Sequence, residues 1–147
     1  MPIAVEDRLE MNNKNTTILY LTDNGLALAQ RLKGLYPHAR IIKFKSEVVP
    51  ELWNECRNLI FIMATGIVVR TIASLIKDKK IDPAVIVLDE KGKFAISLIS
   101  GHIGGANKIA SDIADFLGGE AVITTASDVN NLPSIDMWAK ENKLIIE

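Results

Sequence analysis

The residues best suited to chemistry lie between Ser97 and Ser111, in the run Ser-Leu-Ile-Ser-Gly-His-Ile-Gly-Gly-Ala-Asn-Lys-Ile-Ala-Ser. An apolar strand there leads through a glycine-rich bend into a helix. The backbone amides of Gly101–Gly105 therefore lack helical acceptors and lie at the positive end of the helix dipole, where anions bind readily. Ser100 and His102 add a hydroxyl and an imidazole. The pattern predicts an anion site that also carries a titratable group.

Two further strand-to-helix turns have a similar character. They offer hydroxyls, open amides, a guanidinium and a carboxylate, at Thr65, Gly66, Arg70, Thr124, Thr125, Ser127 and Asp128. Taken singly, each turn is more simply explained as a helix cap. Ligands of mostly parallel α/β sheets bind beyond the carboxyl ends of the strands, so we expect all three turns to converge on one pocket.

His102 and Asp128 are the candidate catalytic residues. Near a helix start the cationic form of His102 is disfavoured, which leaves a neutral imidazole able to act as a base. The same ring would equally serve as a hydrogen-bonding partner of a neighbouring loop. Asp128 fits either the orientation of His102 or the capping of the next segment. Arg70 fits either a substrate carboxylate, through its planar fork, or a solvated helix face.

Other kinds of site are disfavoured by spacing. The segment Gly101-His-Ile-Gly104 lacks the spaced glycines and the acidic residue of a dinucleotide fingerprint, and Gly66 is not followed by the Gly-Lys-Ser/Thr of a P-loop. No second His or Cys lies at ligand spacing from His102, so no protein-bound metal is expected. Cys56 is expected to be a small buried side chain rather than a nucleophile.

The elements that position these residues follow from the hydrophobic pattern, which predicts an α/β domain of three layers around a mainly parallel sheet. Strands are predicted at 16–22, 39–44, 59–63, 84–88, 93–99 and 120–124, and helices at 24–35, 49–57, 67–77, 104–117 and 134–142. The inward face of helix 104–117 is predicted to be Ile109, Ile113, Phe116 and Leu117. Asp23 or Asn24 is the expected cap of the first helix. The Gly-containing turn 89–93 predicts an antiparallel hairpin over 84–99.

Composition limits the function classes. The chain has 147 residues, 48% of them hydrophobic, which suits one domain over 16–147 behind a flexible leader at 1–15. A net charge of −1 makes nucleic acid an unexpected partner. A single cysteine, the absence of a signal-like start and the absence of an apolar run of about 20 residues predict a cytoplasmic protein without a membrane partner.

Five segments together resemble the N-terminal part of the CbiG family, which contains the cobalt-precorrin 5A hydrolases of anaerobic cobalamin synthesis. The segments are Met63–Ala73, Lys77–Lys80, Asp82–Lys93, Ser97–Asn107 and Ile123–Asn130. The resemblance runs from about Thr17 to the C-terminus. Family members usually continue into a C-terminal domain that this chain lacks, which leaves open whether these residues are active alone.

The resemblance implies a reaction on a cobalt-containing corrin precursor. Its δ-lactone, formed by the ring A acetate, would be opened by water, and C20 would leave with its methyl as acetaldehyde. Cobalt would arrive inside the substrate, so no cofactor is expected. The expected substrate-binding residues are Thr65, Gly66, Arg70, Ser100, Gly101, Gly104, Gly105, Asn107, Thr124 and Thr125. The many carboxylates of such a substrate suit helix starts that carry hydroxyls.

Three hypotheses follow. In the first, the chain is a hydrolase module in which His102 or Asp128 activates water and the amides stabilise the oxyanion. In the second, the turns only bind tetrapyrrole carboxylates, and a C-terminal family domain supplies the chemistry. In the third, outside the family, a flavodoxin-like sheet serves a nucleotide- or phosphate-binding regulator. The sequence leaves the oligomeric state open, a homo-oligomer included.

Overall fold

A computed structural model describes residues 15–101 and 104–126. The strands are β1 (Thr16–Tyr20), β2 (Arg40–Lys43), β3 (Asn58–Ile62), β4 (Ala84–Leu88), β5 (Phe94–Ile99) and β6 (Glu120–Val122). The helices are α1 (Asp23–Leu32), α2 (Val49–Glu55), α3 (Thr65–Ile72) and α4 (Ala106–Leu117), with a 3-10 turn at Ser46–Val48. Every residue of β3 and β4 is buried, as expected for unbroken apolar strands covered on both faces.

The strands form one sheet in the order β2-β1-β3-β4-β5-β6. Pairing is parallel from β2 through β4 and again between β5 and β6, whereas β4 and β5 are antiparallel. In that pair Leu88 lies opposite Ala95 and Val85 opposite Ile99, which confirms the predicted hairpin. The consequence is that β5 and β6 run in the opposite direction to the other four strands.

Helices cover both faces of the sheet, so the predicted three-layer α/β architecture is confirmed. On the first face, Leu28 and Leu32 of α1 and Ile113 of α4 belong to one buried cluster with the strands. On the second face, Trp53 of α2 and Val68 of α3 belong to another. In the described part of the chain, no helix is long and apolar enough to cross a membrane.

The first helix starts and ends differently from its prediction. The cap is Thr22, not Asp23 or Asn24, because its Oγ1 accepts a hydrogen bond of 3.0 Å from the amide of Gly25. The helix ends at Leu32, since the next two amides bond three residues back to Gln30 and Arg31. The apolar stripe continues beyond the helix through Leu35, which still packs on the core.

Helix α4 also differs at both ends from the predicted 104–117. It begins at Ala106, because Gly105 has a left-handed φ of 88° that places it and Gly104 in the preceding bend. The inward assignment of Phe116 is wrong, since it is 43% exposed at the flank of the apolar stripe, beside Gly34. The helix predicted at 134–142 and residues 1–14 of the leader lie outside the described residues.

Candidate functional site

The reversed direction of β5 and β6 places the candidate turns at two opposite edges of the sheet. The turn at Thr65–Gly66 follows β3 and lies at the edge where β1–β4 end, called here the carboxyl edge. Ser100 follows β5 and lies where β4 begins, because Ile99 pairs with Val85. This second edge, where β1–β4 begin and β5 ends, is called the amino edge. The prediction that all three turns converge on one pocket is therefore wrong.

At the carboxyl edge, the side chain of Arg70 folds back over the start of its own helix. A Cβ atom placed on Gly66 would lie 3.3 Å from Nη1 of Arg70, so the guanidinium rests against the glycine. Arg70 is exposed and forms no hydrogen bond or ion pair with any described residue. Thr65, Gly66 and Arg70 thus form one local group with a cation available to an anionic ligand.

The same edge contains a cleft of about 410 Å³ that extends from Thr65 towards β5 and β6. Its walls are mostly apolar, formed by Leu21, Ile62, Met63, Ala64, Val87, Phe94, Ile96 and Val122, with Thr22, Thr65, Asp89 and Glu90 as the polar members. Two of these polar members are acidic. The cleft therefore suits an apolar group better than a carboxylate.

Glu90 was not a candidate from the sequence, yet it forms the main polar interaction of this edge. Its carboxylate accepts hydrogen bonds from Thr22 Oγ1 at 2.5 Å and from Asn24 Nδ2 at 3.4 Å. The hydrogen bond from Thr22, followed by that from Asn24, lowers the pKa of Glu90. The pair spans 68 residues, so no local spacing signals it. Glu90 holds the tip of the hairpin at the start of α1.

At the amino edge, the chain leaves β5 through a strained serine. Ser100 is the one described non-glycine residue with a positive φ, 59°, and it is 9% exposed. Its Oγ donates a hydrogen bond of 3.3 Å to the carbonyl of Asp82. Gly104 packs so closely that an added Cβ would overlap Ser100 Cβ and lie 2.7 Å from its carbonyl oxygen. A left-handed serine held by its surroundings is a feature found repeatedly at functional sites.

The amides of the bend and those that start α4 differ in whether a described residue accepts a hydrogen bond from them. The first two amides of α4 are already used: Ala106 donates to the carbonyl of Ser100 at 3.1 Å, and Asn107 to that of Gly101 at 3.0 Å. The amides of Gly104 and Gly105 donate to no described residue. The donors that no described residue occupies are therefore in the bend, immediately before the helix.

Asn107 holds this region together. It is 9% exposed, and its Oδ1 accepts a hydrogen bond of 2.6 Å from Ser97 of β5, while its Nδ2 donates one of 3.0 Å to Thr125. The structure therefore brings Ser100, Gly101, Gly104, Gly105, Asn107 and Thr125 together, and Thr124 precedes them as an exposed neighbour. It does not bring Thr65, Gly66 or Arg70 to them.

The candidate catalytic residues His102 and Asp128 lie outside the described residues, as does Ser127. Their roles stay predictions. Within the ranges 15–101 and 104–126, no cluster of three or more His, Cys, Asp or Glu side chains could hold a metal ion. The described groups of the amino-edge bend are amides, hydroxyls and one carboxamide, all suited to binding and to the stabilisation of negative charge.

Comparison with known proteins adds a direct line of evidence. Residues 47–128 match the CbiG_N family model, described as Cobalamin synthesis G N-terminal. The chain is 42% identical over 142 residues to a cobalt-precorrin-5A hydrolase of Salmonella typhimurium, a match that covers 86% of this chain and 40% of the relative. It is 48% identical over 93 residues to one of Priestia megaterium, covering 63% of this chain and 25% of the relative.

A solved structure gives independent evidence for the fold. A cobalamin biosynthesis protein G homolog from Sulfolobus solfataricus superposes with a TM-score of 0.70 at 23% identity, over 84% of this chain and 42% of that one. The chain spans less than half the length of each of these relatives. Because the family model matches residues 47–128, more than half of the chain, this protein belongs to the CbiG N-terminal family.

Proposed function

We propose that this domain takes part in the hydrolysis of cobalt-precorrin 5A, and that the reaction occurs at the amino edge of the sheet. The proposal starts from the relatives named cobalt-precorrin-5A hydrolase. The observation that carries its location is the bend itself, in which the open amides of Gly104 and Gly105 adjoin the strained Ser100. The carboxyl edge offers instead an apolar cleft with acidic groups.

The chemistry requires few groups. Water attacks the carbonyl carbon of the ring A lactone, and the carbonyl oxygen becomes an oxyanion. The amides of Gly104 and Gly105 are the proposed donors to that oxyanion, an arrangement worth about 2.7–4 kcal/mol per donor in well-studied enzymes. His102, which lies between Gly101 and Gly104 in the sequence, or Asp128 removes the proton from water. Ring opening is followed by the loss of C20 with its methyl as acetaldehyde. Cobalt enters as part of the substrate.

The rigidity of the bend supports this role. Donors stabilise an oxyanion most when they are already in position before the reaction. The side chain of Asn107 links the bend to β5 and to Thr125. Its backbone N–H donates a hydrogen bond to the carbonyl of Gly101. Gly104 is fixed against Ser100 at a distance that no larger residue would tolerate. The amides are thus held by three separate segments of the chain.

A second candidate function is a binding module that holds tetrapyrrole carboxylates without reacting. The observation that favours it is the chemical character of the described bend, whose polar groups do not titrate near neutral pH. The matched relatives are also longer than this chain. In this version a further domain of such a protein supplies the base, and the chain contributes affinity and orientation.

One assay separates the two candidates. The chain is incubated with cobalt-precorrin 5A, acetaldehyde is measured, and binding is followed by the absorbance of the corrin. Turnover supports the hydrolase, and tight binding without acetaldehyde supports the binding module. A chain that neither binds nor converts cobalt-precorrin 5A would contradict both. The variant Asn107→Ala serves as the control for location, since it should impair whichever process uses the bend.

A further inference from the structure

The amino edge contains a polar hollow that opens beside Gly104. Its volume is about 460 Å³, and it is lined by Asn15, Glu55, Cys56, Arg57, Lys80, Ile81, Asp82, Pro83 and Gly104. Besides Gly104 of the bend, these residues come from the end of α2, from the residues just before β1 and β3, and from the loop before β4. In the sequence, Lys80 falls between a predicted helix and a predicted strand, and Arg57 is not among the candidate site residues. The fold brings both to the glycine bend.

The acidic groups of this hollow are already used within the protein. The carboxylate of Asp82, 7% exposed, accepts a hydrogen bond of 2.9 Å from the backbone amide of Lys77. The carboxylate of Glu55 forms an ion pair with Arg40 at 3.6 Å. Both negative charges therefore have partners inside the protein, and their effect on a ligand is reduced.

The two cations of the hollow, Arg57 and Lys80, differ from its acidic groups in having no partner in the described part of the chain. The side chains of Arg57 and Lys80 form no hydrogen bond or ion pair with described residues. Their backbones, in contrast, are held. The amide of Arg57 donates to the carbonyl of Asn15 at 3.0 Å, and that of Lys80 to Asp78 Oδ1 at 2.8 Å. The hollow thus presents two positive charges that no residue of 15–101 or 104–126 neutralises, both on a backbone held by hydrogen bonds.

We propose that Arg57 and Lys80 bind carboxylates of the substrate while its lactone lies at the bend. The inference rests on the proposed function, because it takes the ligand to be a polycarboxylate. The planar guanidinium of Arg57 suits one carboxylate with two parallel hydrogen bonds, and Lys80 supplies a point charge to a second. Gly104 lines the hollow and belongs to the bend, so one ligand can contact both.

The test uses cobyrinic acid, a stable cobalt corrin with free acetate and propionate groups, and follows its absorbance on titration with the 147-residue chain. Arg57→Gln and Lys80→Gln should each weaken binding about two- to fivefold, as expected for exposed charge pairs, and the double variant by about the product. The effect should shrink as salt is raised from 0.05 to about 0.5 M.

Matched controls are Arg31→Gln on α1 and Lys91→Gln in the hairpin turn, both exposed and neither among the residues that line the hollow. These should leave affinity within experimental error. With cobalt-precorrin 5A, the Arg57 and Lys80 variants should raise KM and leave kcat unchanged. Variants that behave like the controls, or a wild-type chain that does not bind cobyrinic acid, would overturn the inference.

The experiment also separates the inference from the proposed function. If the chain forms no acetaldehyde but the Arg57 and Lys80 variants still weaken binding of cobyrinic acid, the hydrolase proposal fails and the carboxylate site stands. If acetaldehyde forms normally and both variants match the controls, the hydrolase proposal stands and the carboxylate site is rejected.

Discussion

The two edges of the sheet contain similar residues, but these residues have different interactions. At the carboxyl edge, Thr22, Asn24 and Glu90 satisfy one another, and the cleft beside them is mainly apolar. At the amino edge, the amides of Gly104 and Gly105 adjoin a hollow whose two cations, Arg57 and Lys80, have no partner among the described residues. Both edges contain a helix start with a hydroxyl nearby. At the carboxyl edge the protein already supplies an anion, the carboxylate of Glu90. At the amino edge no described carboxylate accepts a hydrogen bond from the amides of the bend.

This difference explains why the amino edge is the better place for a polycarboxylate. A helix start that already holds an internal carboxylate gains little from a second, because like charges repel. Arg70 is the exception at the carboxyl edge, as a cation without a described partner. Variants placed in matched pairs at the two edges therefore test the assignment directly.

The largest effect is expected from His102. A general base contributes about 10²–10⁴-fold in rate, so His102→Ala and His102→Gln should both lose turnover on that scale while corrin affinity changes little. Arg70→Ala, at the opposite edge, should change turnover less than about tenfold. The measurement is acetaldehyde release at saturating substrate. The opposite ranking of these variants would move the reaction to the carboxyl edge.

The glycine bend offers a comparison based on stability. Gly104→Ala places a methyl group against Ser100, so we expect a loss of about 2–3 kcal/mol in the free energy of unfolding and a fall in turnover. Gly66→Ala lies within α3, against the flexible tip of Arg70, and should gain up to about 1 kcal/mol. Urea denaturation measures both. Equal responses would mean that the bend is not close-packed.

A smaller effect on stability is expected when the side-chain carboxamides of Asn107 and Asn24 are removed. Asn107→Ala removes the hydrogen bonds to Ser97 and Thr125 in a nearly buried position, which should cost about 1–2 kcal/mol of stability. Asn24→Ala removes only an exposed contact of 3.4 Å with Glu90, and should cost less than about 0.5 kcal/mol. Thermal unfolding of the two variants at neutral pH checks this ranking. A larger cost at Asn24 would reverse the comparison.

The smallest effect concerns the pH dependence of the carboxyl edge. The pKa of Glu90 is lowered in the folded state, chiefly by the hydrogen bond from Thr22, so its contribution to stability is present above the unfolded pKa of about 4.3. That contribution is lost as the pH falls through the folded pKa. Glu90→Gln should therefore be slightly less stable than the wild type at pH 7, and the difference should disappear in acid.

The control for this measurement is Glu51→Gln on α2, an exposed carboxylate with no hydrogen bond or ion pair to the described residues. Its difference from wild type should not show the same loss in acid. A Glu90→Gln variant whose stability difference is constant from pH 7 to about pH 3 would show that the bond to Thr22 does not depend on the charge.

Much of the fold could be predicted from the chain alone, because the signals are local. Apolar runs without alternation identify β3 and β4 as central strands, and the Gly-containing turn at 89–93 identifies the hairpin. The run from Ser97 to Asn107 marks the bend, whose glycines and serine are close together in sequence. The family resemblance was recognisable from motifs of the same kind.

The tertiary structure decided which of these motifs lie together. The antiparallel β4–β5 pair reverses the direction of β5 and β6, so Thr65 and Ser100 follow similar strands yet lie at opposite edges. The contact of Glu90 with Thr22, and the hollow that Gly104 shares with Arg57 and Lys80, join segments far apart in sequence. Such contacts depend on how strands pair in space, and side-chain periodicity carries information about the neighbouring residues of one segment only.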